Sequence, residues 1–119
     1  MPTEADILVV DDDPLLRLGM VCMLRDMGYQ AVAAQDPMRA LPMVHQGIGV
    51  DLLITDYSMP GMTGVELARR LSQERPGLHV LIMTGHTKLD DELAPEWRKL
   101  TKPFTETELR ETIEALTSS

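Results

Sequence analysis

The sequence predicts an α/β domain in which a parallel sheet is doubly wound, with helices on both faces. Short aliphatic runs such as Ile7 to Val10 and Leu78 to Met83 read as strands buried on both sides. Segments with helical periodicity and capping residues separate them, so strand and helix alternate along the chain. Buried strands joined through helices require parallel pairing with right-handed crossovers, which covers the sheet on both faces. At 119 residues the chain has the length of one domain, and residues 1–119 are expected to form it with no output domain.

The elements follow in order. Ile7 to Val10 forms the first strand and stops at Asp11-Asp12-Asp13-Pro14. Asp13 caps the next helix and Pro14 suits its first position; apolar residues continue to Met27, and Gly28 supplies the stop. On this helix Leu16, Met20, Met23, Leu24 and Met27 are assigned to the buried face, leaving Leu15, Leu18, Val21 and Cys22 as an outer apolar stripe. Ala31 to Ala34 is the second strand. Asp36-Pro37 opens a helix to about Gln46 with Pro42 inside it, which removes one backbone donor. Val50 to Thr55 runs as a third strand into Asp56, and Tyr57-Ser58-Met59-Pro60-Gly61 continues neither strand nor helix. Thr63 and Glu66 stand in capping-box spacing, starting a helix that buries Val65, Leu67, Ala68 and Leu71. Leu78 to Met83 is the fourth strand. The polar stretch from Gly85 to Glu96 has room for about two helical turns around Lys88 to Leu93. Arg98 to Thr101 is a short fifth strand, and Thr105 with Glu108 makes a second capping box before Leu109, Ile113 and Leu116 on one helix face.

Composition narrows the function. Nineteen acidic residues against 11 basic give a net charge of −8 with no Lys/Arg run, which opposes direct binding to nucleic acid. Tyr29, Tyr57, Trp97 and Phe104 are too scattered for a base-stacking platform. No apolar run approaches the roughly 20 residues of a membrane span, no secretory leader is visible, and the lone Cys22 can form no internal disulfide. A cytoplasmic location is expected, with no membrane partner.

In such sheets ligands bind where strand C-termini converge. The residues there are Asp11 and Asp12 after the first strand, Asp56 after the third, Thr84 after the fourth and Lys102 after the fifth. Two carboxylates about 4 Å apart repel by about 4 kcal/mol at an effective dielectric of 20, so the cluster needs a cation. Lys102 is one. Carboxylate oxygens and a backbone carbonyl are also the hard ligands that Mg²⁺ prefers, and a partly open Mg²⁺ site is expected.

These segments resemble the receiver domain of bacterial two-component response regulators, a flavodoxin-like fold. The resemblance runs through Ile7 to Asp13, Asp51 to Asp56 with Met59-Pro60-Gly61-Met62-Thr63-Gly64, Leu81 to Gly85, and Lys102-Pro103-Phe104, nearly the whole chain. It implies a three-layer sheet of strand order 2-1-3-4-5 and a phosphoacceptor that assists its own phosphorylation and dephosphorylation rather than an enzyme. Asp56 is then the nucleophile that takes a phosphoryl group from a phosphohistidine. Asp12 binds Mg²⁺ directly, Asp11 mainly through water, and the Ser58 backbone carbonyl supplies another oxygen. Lys102 neutralises a phosphoryl oxygen, and Thr84 donates its hydroxyl after transfer, drawing its loop inward. His86 and Ser58 occupy positions that tune loss of the phosphate, and the Lys102-Pro103 bond is expected to be cis. Partners would be a histidine kinase or a histidine phosphotransfer domain, with the chain a monomer or weak dimer serving as single-domain regulator, relay intermediate or phosphate sink.

Two departures from the family pattern stand out. Lys102 follows Thr84 by 18 residues, about one helical turn less than is typical, so the fourth helix region is shortened as in hybrid-kinase or standalone receivers. Lys99 stands where the family usually carries Tyr or Phe, which questions coupling of an aromatic ring to Thr84 and dimerisation through that face. The outer stripe of Leu15, Leu18 and Cys22 is read as the docking surface for the histidine-bearing helices of the partner; a self-dimer is the alternative.

Plainer roles exist for each residue alone. Asp11 to Asp13 can cap a helix, Asp56 can open a turn, and Thr84 and Lys102 can be ordinary strand and surface residues. His45 and His79 lack ligand spacing, the nine methionines read as adaptable core filler, and Cys22 reads as inert. A rival reading is a small haloacid-dehalogenase-like phosphatase, with Asp11 as nucleophile in Asp11-Asp12-Asp13; it leaves Asp56 and its loop unexplained. A third is an interaction module that is never phosphorylated.

Overall fold

The structure is a computed structural model and describes residues 4–85 and 91–117. Its elements are β1 (Glu4–Val10), α1 (Pro14–Asp26), β2 (Ala31–Ala34), α2 (Pro37–His45), β3 (Gly49–Asp56), α3 (Gly64–Glu74), β4 (His79–Thr84), β5 (Arg98–Thr101) and α4 (Glu106–Thr117). All strand pairs are parallel, in the order β2-β1-β3-β4-β5. The doubly wound expectation and its strand order hold.

Strand side chains alternate between two cores. Leu8, Val10, Leu53, Val80 and Ile82 meet Ala40 and Val44 of α2 and Val65, Ala68 and Leu71 of α3. Ile7, Val9, Ile54, Leu81 and Met83 meet Met20 and Leu24 of α1 and Leu109 and Ile113 of α4. Strands covered on both faces explain why their sequences are continuous aliphatic runs rather than alternating ones.

The predicted caps form. Asp13 accepts from the N–H groups of Leu15 and Leu16, and Asp36 from Arg39. Both capping boxes close, Thr63 with Glu66 and Thr105 with Glu108. Pro42 is accommodated inside α2, which ends at His45.

Several expectations need correction. β1 begins at Glu4, ahead of Ile7, because backbone pairing with Gly49 and Val50 of β3 does not require apolar side chains. β3 and β4 run one residue further than expected, so Asp56 and Thr84 are their last residues. On α1, Leu16 is 47% exposed while Val21 is buried. The face of α1 that meets the core carries Met20, Val21 and Leu24, and Leu16 lies off it. Met38, at 82% exposed, is not core filler. The helix expected around Lys88 to Leu93 falls partly outside the described residues; residues 91–97 form turns and bends.

That connecting segment is tied back to the rest of the fold. The Tyr57 hydroxyl donates to the Glu92 carboxylate, 3.2 Å from each oxygen. Arg69 of α3 donates to the Glu92 carbonyl, and its guanidinium lies 5.9 Å from the ring centre of the buried Trp97. None of the helices among the described residues is long and apolar enough to cross a membrane.

Candidate functional site

The C-terminal ends of β1, β3 and β5 bring the predicted charges together. One carboxylate oxygen each from Asp11, Asp12 and Asp56 lie within 4.8 Å of one another. The Lys102 ammonium is 3.1 Å from Asp56 Oδ1 and 3.8 Å from Asp11 Oδ2. Lys102 follows β5 directly and its N–H donates to the Thr84 carbonyl at 2.7 Å, so the β4–β5 ladder aims its side chain. The Lys102-Pro103 peptide is cis, as expected.

The three acids differ in environment. Asp11 is 1% exposed. Its Oδ1 accepts the Asp13 N–H at 2.9 Å, while its Oδ2 is buried without a hydrogen-bond partner. Burial raises the Asp11 pKa above 3.8; the Asp13 N–H and Lys102 oppose the rise, and the charges of Asp56 and Asp12 add to it. Asp12 is exposed and Asp56 half-buried. Burial and mutual repulsion leave negative charge that one ammonium does not balance.

The β3–α3 connection is fixed by backbone bonds. Tyr57 N–H donates to the Met83 carbonyl and Gly64 N–H to the Tyr57 carbonyl, both at 2.8 Å. Gly61 has φ +86°, a left-handed conformation that suits glycine. Gly64 has no room for a side chain, since a Cβ there would sit 2.2 Å from the Asp56 carbonyl oxygen. Ser58 is exposed in this loop.

The donor set fits a hard divalent cation. Oxygens on opposite sides of an octahedral Mg²⁺ lie about 4 Å apart, close to the span of the three carboxylates. Asp11 Oδ2 is the second sign: it is buried with no hydrogen bond and only the Lys102 ammonium at 3.8 Å, and a buried charged oxygen so poorly satisfied is costly.

Other predicted residues lie further out. Thr84 is buried and hydrogen-bonded through its carbonyl to the Lys102 N–H. Lys99 is opposite Ile82 in the ladder, back from the cluster. His86 lies outside the described residues. Leu15 and Leu18 are 80% and 61% exposed, and Cys22 is exposed on the same helix. Leu15 joins Leu16, Met23 and Phe104 around a groove of about 510 Å³ that also touches Asp11 and Lys102. Leu18 instead faces Val32 and Ala33 of β2. His45 pairs with Glu74 at 2.9 Å, a contact between α2 and α3 away from the cluster. The sequence reading missed Arg17, whose Nη1 donates to the Asp11 carbonyl at 2.9 Å. It also missed the contact of Gly64 with Asp56; no local pattern marks either.

A parallel sheet with acids and a lysine converging at its C-terminal edge defines a class of phosphoryl- and metal-handling α/β proteins. Comparison with known proteins makes the assignment specific. Residues 7–114 match the model of the response regulator receiver domain, and the chain belongs to that family. It is 39% identical over 117 residues to the chemotaxis protein CheY of Pseudomonas aeruginosa, covering 92% of this chain and 94% of that one. It is 40% identical over 90 residues to the Arabidopsis thaliana putative two-component response regulator ARR21; the match takes in 75% of this chain but only 15% of that protein. The solved structure of response regulator TrrA from Thermotoga maritima, in complex with Mg²⁺-BeF, superposes with a TM-score of 0.82 at 29% identity, covering 96% of this chain and 98% of that one. The chain is thus a phosphoacceptor receiver domain of two-component signalling.

Proposed function

We propose that Asp56 accepts the phosphoryl group, from the phosphohistidine of a cytoplasmic histidine kinase or phosphotransfer domain, and that residues 1–119 act as one receiver unit. The observation that carries this is the convergence of Asp11, Asp12 and Asp56 within 4.8 Å beside the Lys102 ammonium. An Asp56 carboxylate oxygen attacks phosphorus; the P–O bond forms as the P–N bond breaks, and the imidazole nitrogen leaves with its electron pair. Lys102, 3.1 Å from Asp56, is placed to neutralise the transferring oxygens. Asp11, Asp12 and Asp56, with the Ser58 carbonyl, would hold Mg²⁺. When bound, the ion would supply positive charge that neutralises the carboxylates and the transferring phosphoryl group.

Thr84 lies at the end of the neighbouring strand and is the residue we assign to sensing the new phosphoryl group. Lys99 then takes the place of the usual aromatic partner, with Ser58 and His86 tuning loss of the phosphate. The exposed stripe of Leu15, Leu18 and Cys22 on α1, continued by the groove beside Phe104, suits the apolar face of a histidine-bearing helix. The phosphatase alternative leaves unexplained the pairing of Asp56 with Lys102 at 3.1 Å and the fixed loop that follows Asp56.

The test is phosphorylation with candidate kinases and with acetyl phosphate in Mg²⁺. Wild type should gain an acid-stable, base-labile phosphoryl group, and Asp56→Asn should not. Phosphorylation of Asp56→Asn at the wild-type level would refute the assignment.

A further inference from the structure

We infer that Arg17 is a positioning residue for the acidic cluster, holding the Asp11–Asp13 turn in the shape that presents Asp12 to a divalent cation; this rests on the Mg²⁺ reading above. The turn is held from several sides. The Asp11 N–H donates to the Ala34 carbonyl at 3.3 Å, at the end of the β1–β2 pairing. The Asp11 carbonyl lies past that pairing and takes Arg17 Nη1 at 2.9 Å. The Asp13 N–H is held by Asp11 Oδ1 at 2.9 Å. One bond therefore fixes the peptide on each side of Asp12, and its backbone is set although its side chain is exposed.

Arg17 is itself anchored. Its backbone N–H makes the first helical bond of α1, to the Asp13 carbonyl at 2.9 Å, which seats residue 17 one turn beyond the acidic turn, and it lines a pocket with Leu18, Val21 and Val32. Lys102 grips carboxylates, which a metal can displace; Arg17 grips backbone, which a metal leaves in place.

Charge and geometry predict opposite signs. A guanidinium beside the cluster repels a second cation, so by charge alone its removal tightens Mg²⁺ binding. By geometry, its removal releases Asp12 and weakens binding, as loss of a group supporting a metal ligand does.

The experiment uses the full chain. Mg²⁺ affinity is measured by calorimetry for wild type, Arg17→Met, Arg17→Lys and Asp12→Asn, each confirmed folded by circular dichroism. Amide exchange at Asp13 is followed without metal. We expect Arg17→Met to bind Mg²⁺ about tenfold more weakly and to exchange the Asp13 amide faster, with Arg17→Lys in between because it keeps one donor. Equal or tighter Mg²⁺ binding by Arg17→Met, or unchanged exchange, overturns the inference while the Mg²⁺ reading stands. Wild-type protein that binds no Mg²⁺, or binds it as Asp12→Asn does, overturns that reading and this inference with it.

Discussion

Replacing Gly64 by Ala probes the fixation of Asp56 most directly. The added Cβ would lie 2.2 Å from the Asp56 carbonyl oxygen and 3.0 Å from both the Asp56 carbonyl carbon and Thr55 Cγ2. Non-bonded contact requires the groups to part by about 1 Å. The neighbours are backbone and a buried threonine, neither of which can swing away. Overpacking of this kind costs about 1–3 kcal/mol, lowering Tm by several degrees at about 4 °C per kcal/mol. The same shift moves Asp56 relative to Lys102, 3.1 Å away, and misplacement on that scale can slow a positioned reaction by about 100-fold. Thermal unfolding and acetyl phosphate labelling read the two effects. Gly19→Ala is the control: it has open space around it within a helix and should gain about 0.5–1 kcal/mol. A Gly64→Ala protein with wild-type Tm and wild-type labelling would refute the reasoning.

Two further outcomes follow. Because burial raises the Asp11 pKa above 3.8, protonation of Asp11 favours the fold; that contribution is complete below 3.8 and is lost as pH rises through the folded-state value. Asp11→Asn should therefore stabilise the Mg²⁺-free protein at pH 7, by on the order of 1 kcal/mol, with the gain shrinking as the pH falls; melts across pH check it. Leu18→Asp should slow transfer from a kinase or phosphotransfer domain while acetyl phosphate labelling is unchanged, and equal loss with both donors would remove Leu18 from the docking surface.

Much of this was legible in the sequence for a physical reason. Ile7 to Val10 and Leu78 to Met83 are covered on both faces, so hydrophobicity alone marks them, and the acids become conspicuous by ending such runs. Thr63 and Thr105 announce their helices because capping is local chemistry. The α1 error is of another kind. Periodicity shows that a helix has an apolar face, but which of Leu16 and Val21 is covered is decided by how the helix packs in the assembled fold. Arg17 reaching the Asp11 carbonyl, Gly64 against Asp56 and Arg69 over Trp97 depend on the assembled fold.

The bond from Tyr57 to Glu92 has a mechanical result. Tyr57 is the next residue after Asp56, while Glu92 belongs to the span that leads through Trp97 into β5, which Lys102 follows. Asp56 and Lys102 are thus linked twice, once by their own 3.1 Å contact and once through the Tyr57–Glu92 bond and the chain that runs from Glu92 into β5.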